Sequence, residues 1–442
     1  MEINPDTLIT DILKLCAGRR ICVAYSGGVD SHVLLHLLAT HRSTHHIPLR
    51  ALHIHHGLQV EADQWAQHCA EIAAQLEVPF QTVTVVVSGQ AEKGMEAAAR
   101  DARYQALANN LAADEVLLTA QHQQDQAETV MLQLLRGAGP MGLAAMPRRT
   151  VLHGMTVIRP LLAVTKAAIM QYAQHQRLHW IDDPSNQDTQ IYRNYLRHKV
   201  WPLLQAHWPA LDRTLSRSAQ HCEDSVKLLN DIARLDAQSV CPRVWHELDL
   251  EALKRLPDYR QRHLLRFAIE QSGLALPTTA ILAQLFDTVV AASEDSTPLL
   301  QWANVQVRRF KQTLYLQTRD DGKPLVNNIT VTDVTTIHLS DTLLLQWHQK
   351  RGQGLKLAVI EAGLTLRFRQ GGERIRLQHQ RQHHSLKHLF QQWQIPPWQR
   401  QQIPLLFWQD ELVAVVGYAY AEGYAADKGE IGWLAEVRNT RF

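Results

Sequence analysis

Long apolar runs are missing from this chain. The longest, such as Leu412 to Val416, fall far short of the roughly 18 residues that span a bilayer, so no transmembrane helix is expected. The start, Met1-Glu2-Ile3-Asn4-Pro5-Asp6, lacks the basic and apolar regions of a signal peptide, and the expected location is the cytosol. Cysteine is scarce as well. The five present (Cys16, Cys22, Cys69, Cys222, Cys241) are odd in number, irregularly spaced and without a C-x-x-C pair. That supports neither a disulfide framework nor a zinc or iron–sulfur site, and leaves buried inert thiols as the expectation. Net charge is nearly absent, with 45 Lys and Arg against 43 Asp and Glu; the total names no partner, although a neutral sum can hide a basic face. No repeat recurs at a fixed period and no long low-complexity segment is present, only a crowding of Gln and His between Gln378 and Gln402. Solenoids and disordered arrays are thereby excluded.

What remains is a globular chain long enough for about three domains. Its first two hundred residues alternate β-branched runs with helical patterns, which argues for βαβ units and a mostly parallel sheet. Ile21–Tyr25, Leu49–His53, Gln81–Val87 and Glu115–Ala120 read as strands; Ser31–Ala39, Asp63–Leu76, Gly94–Leu111 and Gln126–Arg136 read as helices. The expectation is an α/β, Rossmann-like domain over residues 1–212. In such a domain ligands bind beyond the carboxyl ends of the strands, just after Tyr25, His53 and Ala120. A mostly helical middle domain with a small β piece is expected over 213–325, with alternating runs from Val305 to Leu316. Turn chemistry at Asp320-Asp321-Gly322-Lys323-Pro324 opens a weakly patterned stretch to about Gly354, and a small α+β domain follows over 355–442.

The strongest chemical signal is Ser26-Gly27-Gly28-Val29-Asp30-Ser31, set between a strand and a helix. Two glycines let backbone amides turn around an anion at the positive end of a helix, which makes a phosphate-binding loop. It is not a Walker A loop, for no lysine follows the glycines. Asp30 would repel phosphate unless a divalent cation lay between them, which points to Mg²⁺-bridged pyrophosphate. A decoy, Gly137-Ala138-Gly139-Pro140-Met141-Gly142, matches G-x-G-x-x-G but follows a helix, and reads as a helix-ending loop.

Four further groups lie at strand ends or helix starts. His55 and His56 end the second strand, where either a nucleotide-adjacent role or none is open. Glu96, Arg100 and Arg103 share a helical face, as an ion pair or as part of the crevice. Asp125 and Glu128, three apart at a helix start, suit an ammonium group or the helix dipole alone. Arg193 and Arg197, one turn apart after Asp182-Asp183-Pro184-Ser185-Asn186, suit phosphate or RNA backbone, or a capping turn with a solvated helix.

In their order and spacing these motifs resemble the PP-loop (N-type) ATP pyrophosphatases, and within that superfamily the tRNA(Ile)-lysidine synthases. Ser26–Ser31 matches S-G-G-x-D-S, His55-His56-Gly57-Leu58 matches H-H-G-L, and Glu96 to Tyr104 matches E-x-x-A-R-x-x-R-Y. Gln126-Ala127-Glu128-Thr129 falls within D-D-Q-A-E-T, Arg136–Gly139 matches R-G-x-G, and Ser185-Asn186, Asp188 and Arg193-Asn194 match S-N-x-D and R-N-x-x-R. Two departures stand out: Gln124 replaces the first acid of D-D-Q-A-E-T, and Gln121-His122 replaces a histidine pair. The end of the chain resembles the family's terminal domain through Arg369-Gln370-Gly371-Gly372-Glu373-Arg374 and Pro396-Pro397-Trp398. Between Arg367 and Gln402 there are six Arg and one Lys against one acid, Glu373, a footprint fit for RNA phosphates. Trp393 and Trp398 suit either base stacking or core packing.

The resemblance implies an ATP-dependent ligase that joins free L-lysine to C2 of the wobble cytidine in tRNA(Ile) with anticodon CAU, through an adenylated intermediate. It implies ATP and Mg²⁺ at Ser26, Gly27, Gly28, Val29, Asp30, Ser31 and His55, with Asp30 on the metal and Arg100 on developing charge. Lysine falls to His122, Asp125 and Glu128, and tRNA to Arg193, Arg197, Arg369, Arg374, Arg376, Lys387 and Arg400. A PP-loop thiolase would be expected to carry catalytic cysteines or C-x-x-C clusters, a glutamine-hydrolysing relative an amidotransferase domain, and an inactive tRNA-binding protein a degenerate loop. Monomer and homodimer are both left open.

Overall fold

The structure, a computed structural model, describes residues 3–55, 57, 61–85, 95–293, 296–319, 328–340 and 343–439, without the side chains of 95–99 and 439. His56, Leu58, the Glu96 side chain, the end of the third strand beyond Val85 and the turn at Asp320–Lys323 lie outside the described residues. The chain forms two compact units, 1–234 and 235–442.

The first unit begins with α1 (Pro5–Cys16), β1 (Arg20–Ala24), α2 (Val29–His45), β2 (Leu49–His55), α3 (Ala62–Gln75) and β3 (Phe80–Thr84). It continues with α4 (Met95–Asn109), β4 (Glu115–Leu118), α5 (Gln123–Leu135), α6 (Pro140–Leu143), β5 (Arg149–Leu152), β6 (Met155–Ile158) and α7 (Lys166–His175). The six strands lie in the order β3-β2-β1-β4-β6-β5. All neighbours are parallel except β5, a hairpin partner of β6. The sheet therefore runs outward from β1 in both directions, and the switch point lies between β1 and β4, where a crevice opens. Helix α2 is apolar on nearly every side: Val33, Leu34, Leu35, Leu37 and Leu38 are fully buried, each worth about 2 kcal/mol. That anchors the loop before it. Gly137, with φ of 71°, follows α5 in the left-handed region, as a helix-ending glycine does.

Beyond α7 come α8 (Tyr192–Tyr195), a π-helical turn at Leu196–Val200, α9 (Trp201–His207) and α10 (Leu211–Val240). The π turn sits between two α-helical segments.

The second unit opens with β7 (Glu247–Asp249), α11 (Leu250–Lys254), α12 (Asp258–Gln271), α13 (Thr279–Leu285), β8 (Leu299–Trp302), β9 (Val305–Phe310) and β10 (Thr313–Thr318). Its four strands form an antiparallel sheet, β7-β10-β9-β8. Helices plus a small sheet agree with the sequence pattern. The weakly patterned stretch before Gly354 holds β11 (Ile329–Val331), β12 (Ile337–His338) and the nine-residue β13 (Leu343–Arg351). There follow α14 (Leu357–Glu361), β14 (Leu364–Arg367), β15 (Arg374–Arg376), β16 (His383–Ser385), α15 (Leu386–Gln392), β17 (Leu405–Trp408), β18 (Glu411–Val415), β19 (Ala419–Tyr420) and β20 (Ile431–Asn439). β13 pairs antiparallel with β20 along its whole length. Its alternation stops at Leu345 and Trp347, the only buried positions, and that brevity hid the strand.

Candidate active site

The PP-loop stretch follows β1 directly. Tyr25, buried, extends the sheet by donating its amide to the Leu52 carbonyl at 2.9 Å. The chain then turns at Gly27, whose φ is 86°; a Cβ there would sit 2.5 Å from Ile181 Cδ1 and 2.9 Å from Cys69 Sγ. Glycine is required on both counts. The Gly27 carbonyl accepts from the Ile181 amide at 3.0 Å. Ser31 Oγ donates to the Gly28 carbonyl at 2.9 Å and accepts from the Ser26 amide at 3.2 Å, with Ser26 Oγ 3.0 Å away. Gly28, the N-cap of α2, supplies no side-chain cap. The first amides of α2 thus keep their capacity for an anionic ligand, at the positive end of a 17-residue helix.

This loop borders a cavity of about 550 Å³ lined by Ser26, Gly28, Asp30 and Ser31, by His55 and Trp65, by Arg100 and Arg103, and by Gln121, Asp125, Ser185 and Arg193. The residues after β1, β2 and β4 that the sequence singled out are therefore brought together. The Val29 side chain packs into the core, while its amide is the first of α2. His55 Nε2 lies 3.0 Å from Asp63 Oδ1, which orients its ring at the rim. Arg100, exposed, lies over the Tyr104 ring with its guanidinium carbon 5.1 Å from the centroid. Arg103 is held below the usual arginine range by burial.

Across the crevice, α5 starts with a reciprocal cap. His122 Nδ1 accepts from the Asp125 amide at 3.4 Å and Asp125 Oδ2 accepts from the His122 amide at 3.0 Å. With Nδ1 as acceptor the ring proton sits on Nε2, which lies 3.5 Å from Asp125 Oδ2 and 3.7 Å from Asp30 Oδ1. One buried imidazole thus links the two carboxylates. Burial alone would raise the Asp125 carboxyl, but the adjoining His122 ring, the charge of Arg193, the amide of His122 and the charge of Arg197 hold it below its ordinary value.

Two of the expected groups have settings that the sequence did not show. Glu128 is 0% exposed and does not line the cavity. Its carboxylate is closed by Arg193 Nε at 3.0 Å, by Arg197 Nε and Nη2, both at 2.8 Å, and by Gln124 Nε2 at 3.2 Å. Arg193 and Arg197, in turn, face α5: Arg193 Nη2 also donates to the Asp125 carbonyl and Thr129 Oγ1, both at 3.0 Å, and Arg197 Nη2 reaches Asp125 Oδ1 at 3.2 Å. Burial works against the Arg197 charge, yet its bonds to Glu128 raise its pKa. A buried carboxylate requires such partners, and α8 with the π turn after it is placed to supply them.

Lys166 escaped the sequence reading. Its Nζ donates to Asp30 Oδ1 at 2.7 Å, so the carboxylate expected to hold Mg²⁺ rests against an ammonium. The missed signal was electrostatic: Lys166 is the first residue of α7, after the N-cap Thr165, where the helix dipole disfavours a cation. The cluster is then balanced, Asp30, Asp125 and Glu128 against Lys166, Arg193 and Arg197. Gln124 in place of an acid keeps that balance and donates to Glu128 as well.

Three family models match the chain: a PP-loop domain over residues 2–204, a TilS substrate binding domain over 248–315 and a TilS substrate C-terminal domain over 364–438. The tRNA(Ile)-lysidine synthase of Coxiella burnetii is 40% identical over 438 residues, covering 98% of this chain and 97% of that one. The chain belongs to the tRNA(Ile)-lysidine synthase family. The synthase of Pectobacterium atrosepticum is 37% identical over 98% of both chains. Among solved structures, a U34-tRNA thiolase from Methanococcus maripaludis is similar at 14% identity and a TM-score of 0.39, covering 49% of this chain and 79% of that one.

In this lysidine synthase homologue the basic end region presents its charges unequally. Arg374 and Arg376 flank the buried Ile375 on β15 and are exposed, as is Lys387 on α15. Arg369 lies over the Phe390 ring at 5.8 Å and Arg400 Nε donates to the Ile395 carbonyl at 2.8 Å, so both also serve packing. Trp393 stacks on Tyr418 at 5.4 Å and 16°, while Trp398 meets Phe310 and Tyr315 edge-on and lies under Arg308. Both tryptophans are engaged within the protein. All five cysteines are free; burial pushes Cys16 up to about 11 and Cys22, Cys69 and Cys241 to about 12, and none lines the cavity.

Proposed function

We propose that the protein joins free L-lysine to C2 of the wobble cytidine in tRNA(Ile) with anticodon CAU, consuming ATP and releasing AMP and pyrophosphate. The observation that carries this is the union, in one cavity, of an anion-binding helix terminus with Asp30 and an acidic wall at Asp125. One side suits a triphosphate and the other an amine. The chain's family and its RNA-binding footprint supply the substrate class.

The C2 carbonyl oxygen is a poor leaving group. It attacks the α-phosphorus of ATP and pyrophosphate departs, forming a C2–O–AMP bond. The ε-amine of lysine then attacks C2, the C–O bond breaks, AMP leaves and the amine loses a proton. Open amides at the start of α2 hold phosphate. Asp30, a carboxylate on the cavity beside the anion-binding amides, fits Mg²⁺, which takes one or two carboxylates with substrate phosphates; bound there it would neutralise pyrophosphate charge. Arg100 stabilises negative charge where it develops, and the His55 ring lies beside the nucleotide. Asp125 orients the lysine ammonium and accepts its proton; a free amine of pKa about 10.4 needs such a base at neutral pH. His122 positions Asp125, and Glu128 acts behind it by fixing Arg193 and Arg197. Arg374, Arg376 and Lys387 grip tRNA phosphates, with Arg369 and Arg400 beside them.

Incubation with ATP, Mg²⁺, lysine and a CAU-bearing tRNA(Ile) transcript, then nuclease digestion and mass spectrometry, tests this. A lysine-dependent mass gain at the wobble cytidine, absent with tRNA(Met), is expected. AMP release without that gain would retain ATP activation and discard the substrate. Among the described residues no helix is long and apolar enough to cross a membrane, in keeping with a place in the cytosol beside the tRNA.

A further inference from the structure

The segment carrying Arg193 and Arg197 is fixed from one side by a set of polar bonds. Arg193 and Arg197 close on Glu128. Asn194 Nδ2 donates to the carbonyls of Ser185 at 2.9 Å and Asp188 at 3.0 Å, and His198 Nε2 lies 2.8 Å from the Asn186 carbonyl. Trp201, buried, donates its indole N–H to Asp212 Oδ1 at 2.9 Å. The π turn at Leu196–Val200 interrupts the helix in this stretch, a feature frequent at functional sites.

The opposite face is different. Tyr192 is 76% exposed and Tyr195 51%, and Lys199 is exposed as well. Residues spaced by three and four share a side of a helix. Among the described residues neither tyrosine ring meets another ring or a cation, neither hydroxyl is hydrogen-bonded, and Lys199 makes no ion pair. A lone exposed tyrosine needs no explanation. Two on one side of a segment that is fixed on its other side and reaches the cavity through the neighbouring Arg193, followed by a cation, form an exposed aromatic surface next to a residue of the active site.

We propose that Tyr192 and Tyr195 are a stacking platform for unpaired bases of the anticodon loop, with Lys199 on the adjoining phosphate. The inference rests on the tRNA reading above and deepens it. Unpaired RNA bases are recognised by stacking on aromatic rings, and each ring contributes without regard to base identity. The platform holds the loop while the wobble cytidine enters the cavity. It positions substrate and takes no part in bond making.

The test uses the full-length protein and a fluorescein-labelled hairpin RNA with a CAU loop, read by anisotropy, beside steady-state kinetics on tRNA. Tyr192→Ala and Tyr195→Ala should each weaken hairpin binding and raise KM for tRNA by roughly tenfold, with ATP affinity unchanged. Tyr→Phe at either position, which keeps the ring, should stay within about twofold of wild type. Alanine variants that bind hairpin like wild type overturn the platform. So do phenylalanine variants as weak as alanine, or a wild-type protein that does not bind the hairpin. Hairpin binding that depends on the rings, without lysine transfer to tRNA, would leave the platform standing and refute the proposed reaction.

Discussion

Replacing Glu128 with glutamine separates a clamp from a substrate contact. The substitution keeps shape and removes one charge from a fully buried site whose carboxylate meets two guanidiniums at 2.8–3.0 Å. Loss of one partner from a buried ion pair costs about 3–5 kcal/mol. Arg193 and Arg197 retain Asp125 and some solvent contact, with exposures of 26% and 30%, so the lower end applies, about 3 kcal/mol. For a unit of this size each kcal/mol moves the melting temperature by roughly 2–4 °C. The expected fall is therefore about 6–12 °C for the transition of the first unit, measured by differential scanning calorimetry at pH 7.5. A cycle with Arg197→Met should show coupling above about 1 kcal/mol, because the two groups touch. Turnover should fall along with stability. An unchanged melting temperature joined to a raised KM for lysine alone would refute the clamp and return Glu128 to the amine.

Lys166→Met should leave folding nearly intact, since a pair whose side chains are about a third exposed contributes about 1 kcal/mol or less; it should change the Mg²⁺ dependence of ATP binding, measured by isothermal titration, and an identical Mg²⁺ titration would dismiss any link to the metal. Gly27→Ala should abolish ATP binding, because the added carbon meets Ile181 and Cys69 at a positive φ; calorimetric ATP affinity equal to wild type would show the loop to be pliable. Burial, with the neighbouring His36 charge, lowers the His32 pKa from 6.5 to about 4. The unfolded chain binds that proton below pH 6.5 and the native state does not, so stability falls as pH drops from 6.5 to 4, by about 3 kcal/mol for this group. His32→Gln should flatten that part of a melting-temperature profile, and an unaltered slope would assign the acid loss elsewhere. Alanine at Arg374, Arg376 and Lys387 together should lower the salt dependence of tRNA binding, each phosphate contact contributing about one to the log–log slope; an equal slope would place the grip on other residues.

Local pattern carried the reading where chemistry and periodicity coincide. The hexapeptide Ser26–Ser31 lies between a strand and a helix, and both elements could be read from hydrophobic spacing, so loop and fold were legible together. The acids of α5 were legible as a pair facing one way, but their partners were not. Arg193 and Arg197 lie more than sixty residues downstream of Glu128, and only the folded unit brings them within reach. Lys166 carried no motif at all; its meaning resides in a distance to Asp30. β13 was lost for a related reason: its partner strand begins eighty residues further on, and pairing across such a separation leaves little local trace.

That pairing governs how the second unit can be dissected. Leu343 lies opposite Asn439 and Arg351 opposite Ile431, so the sheet joins residues almost a hundred positions apart and closes only after everything between them is in place. Trimming the chain before β20 would strip β13 of its neighbour along nine residues, expose Leu345 and Trp347, and leave a bare edge ready to recruit other chains. Shortened versions of this half would report on aggregation before they reported on RNA. Charge-removing substitutions on the β15–β16 hairpin leave that closure untouched, and through them the hold on tRNA can be weighed apart from the integrity of the fold.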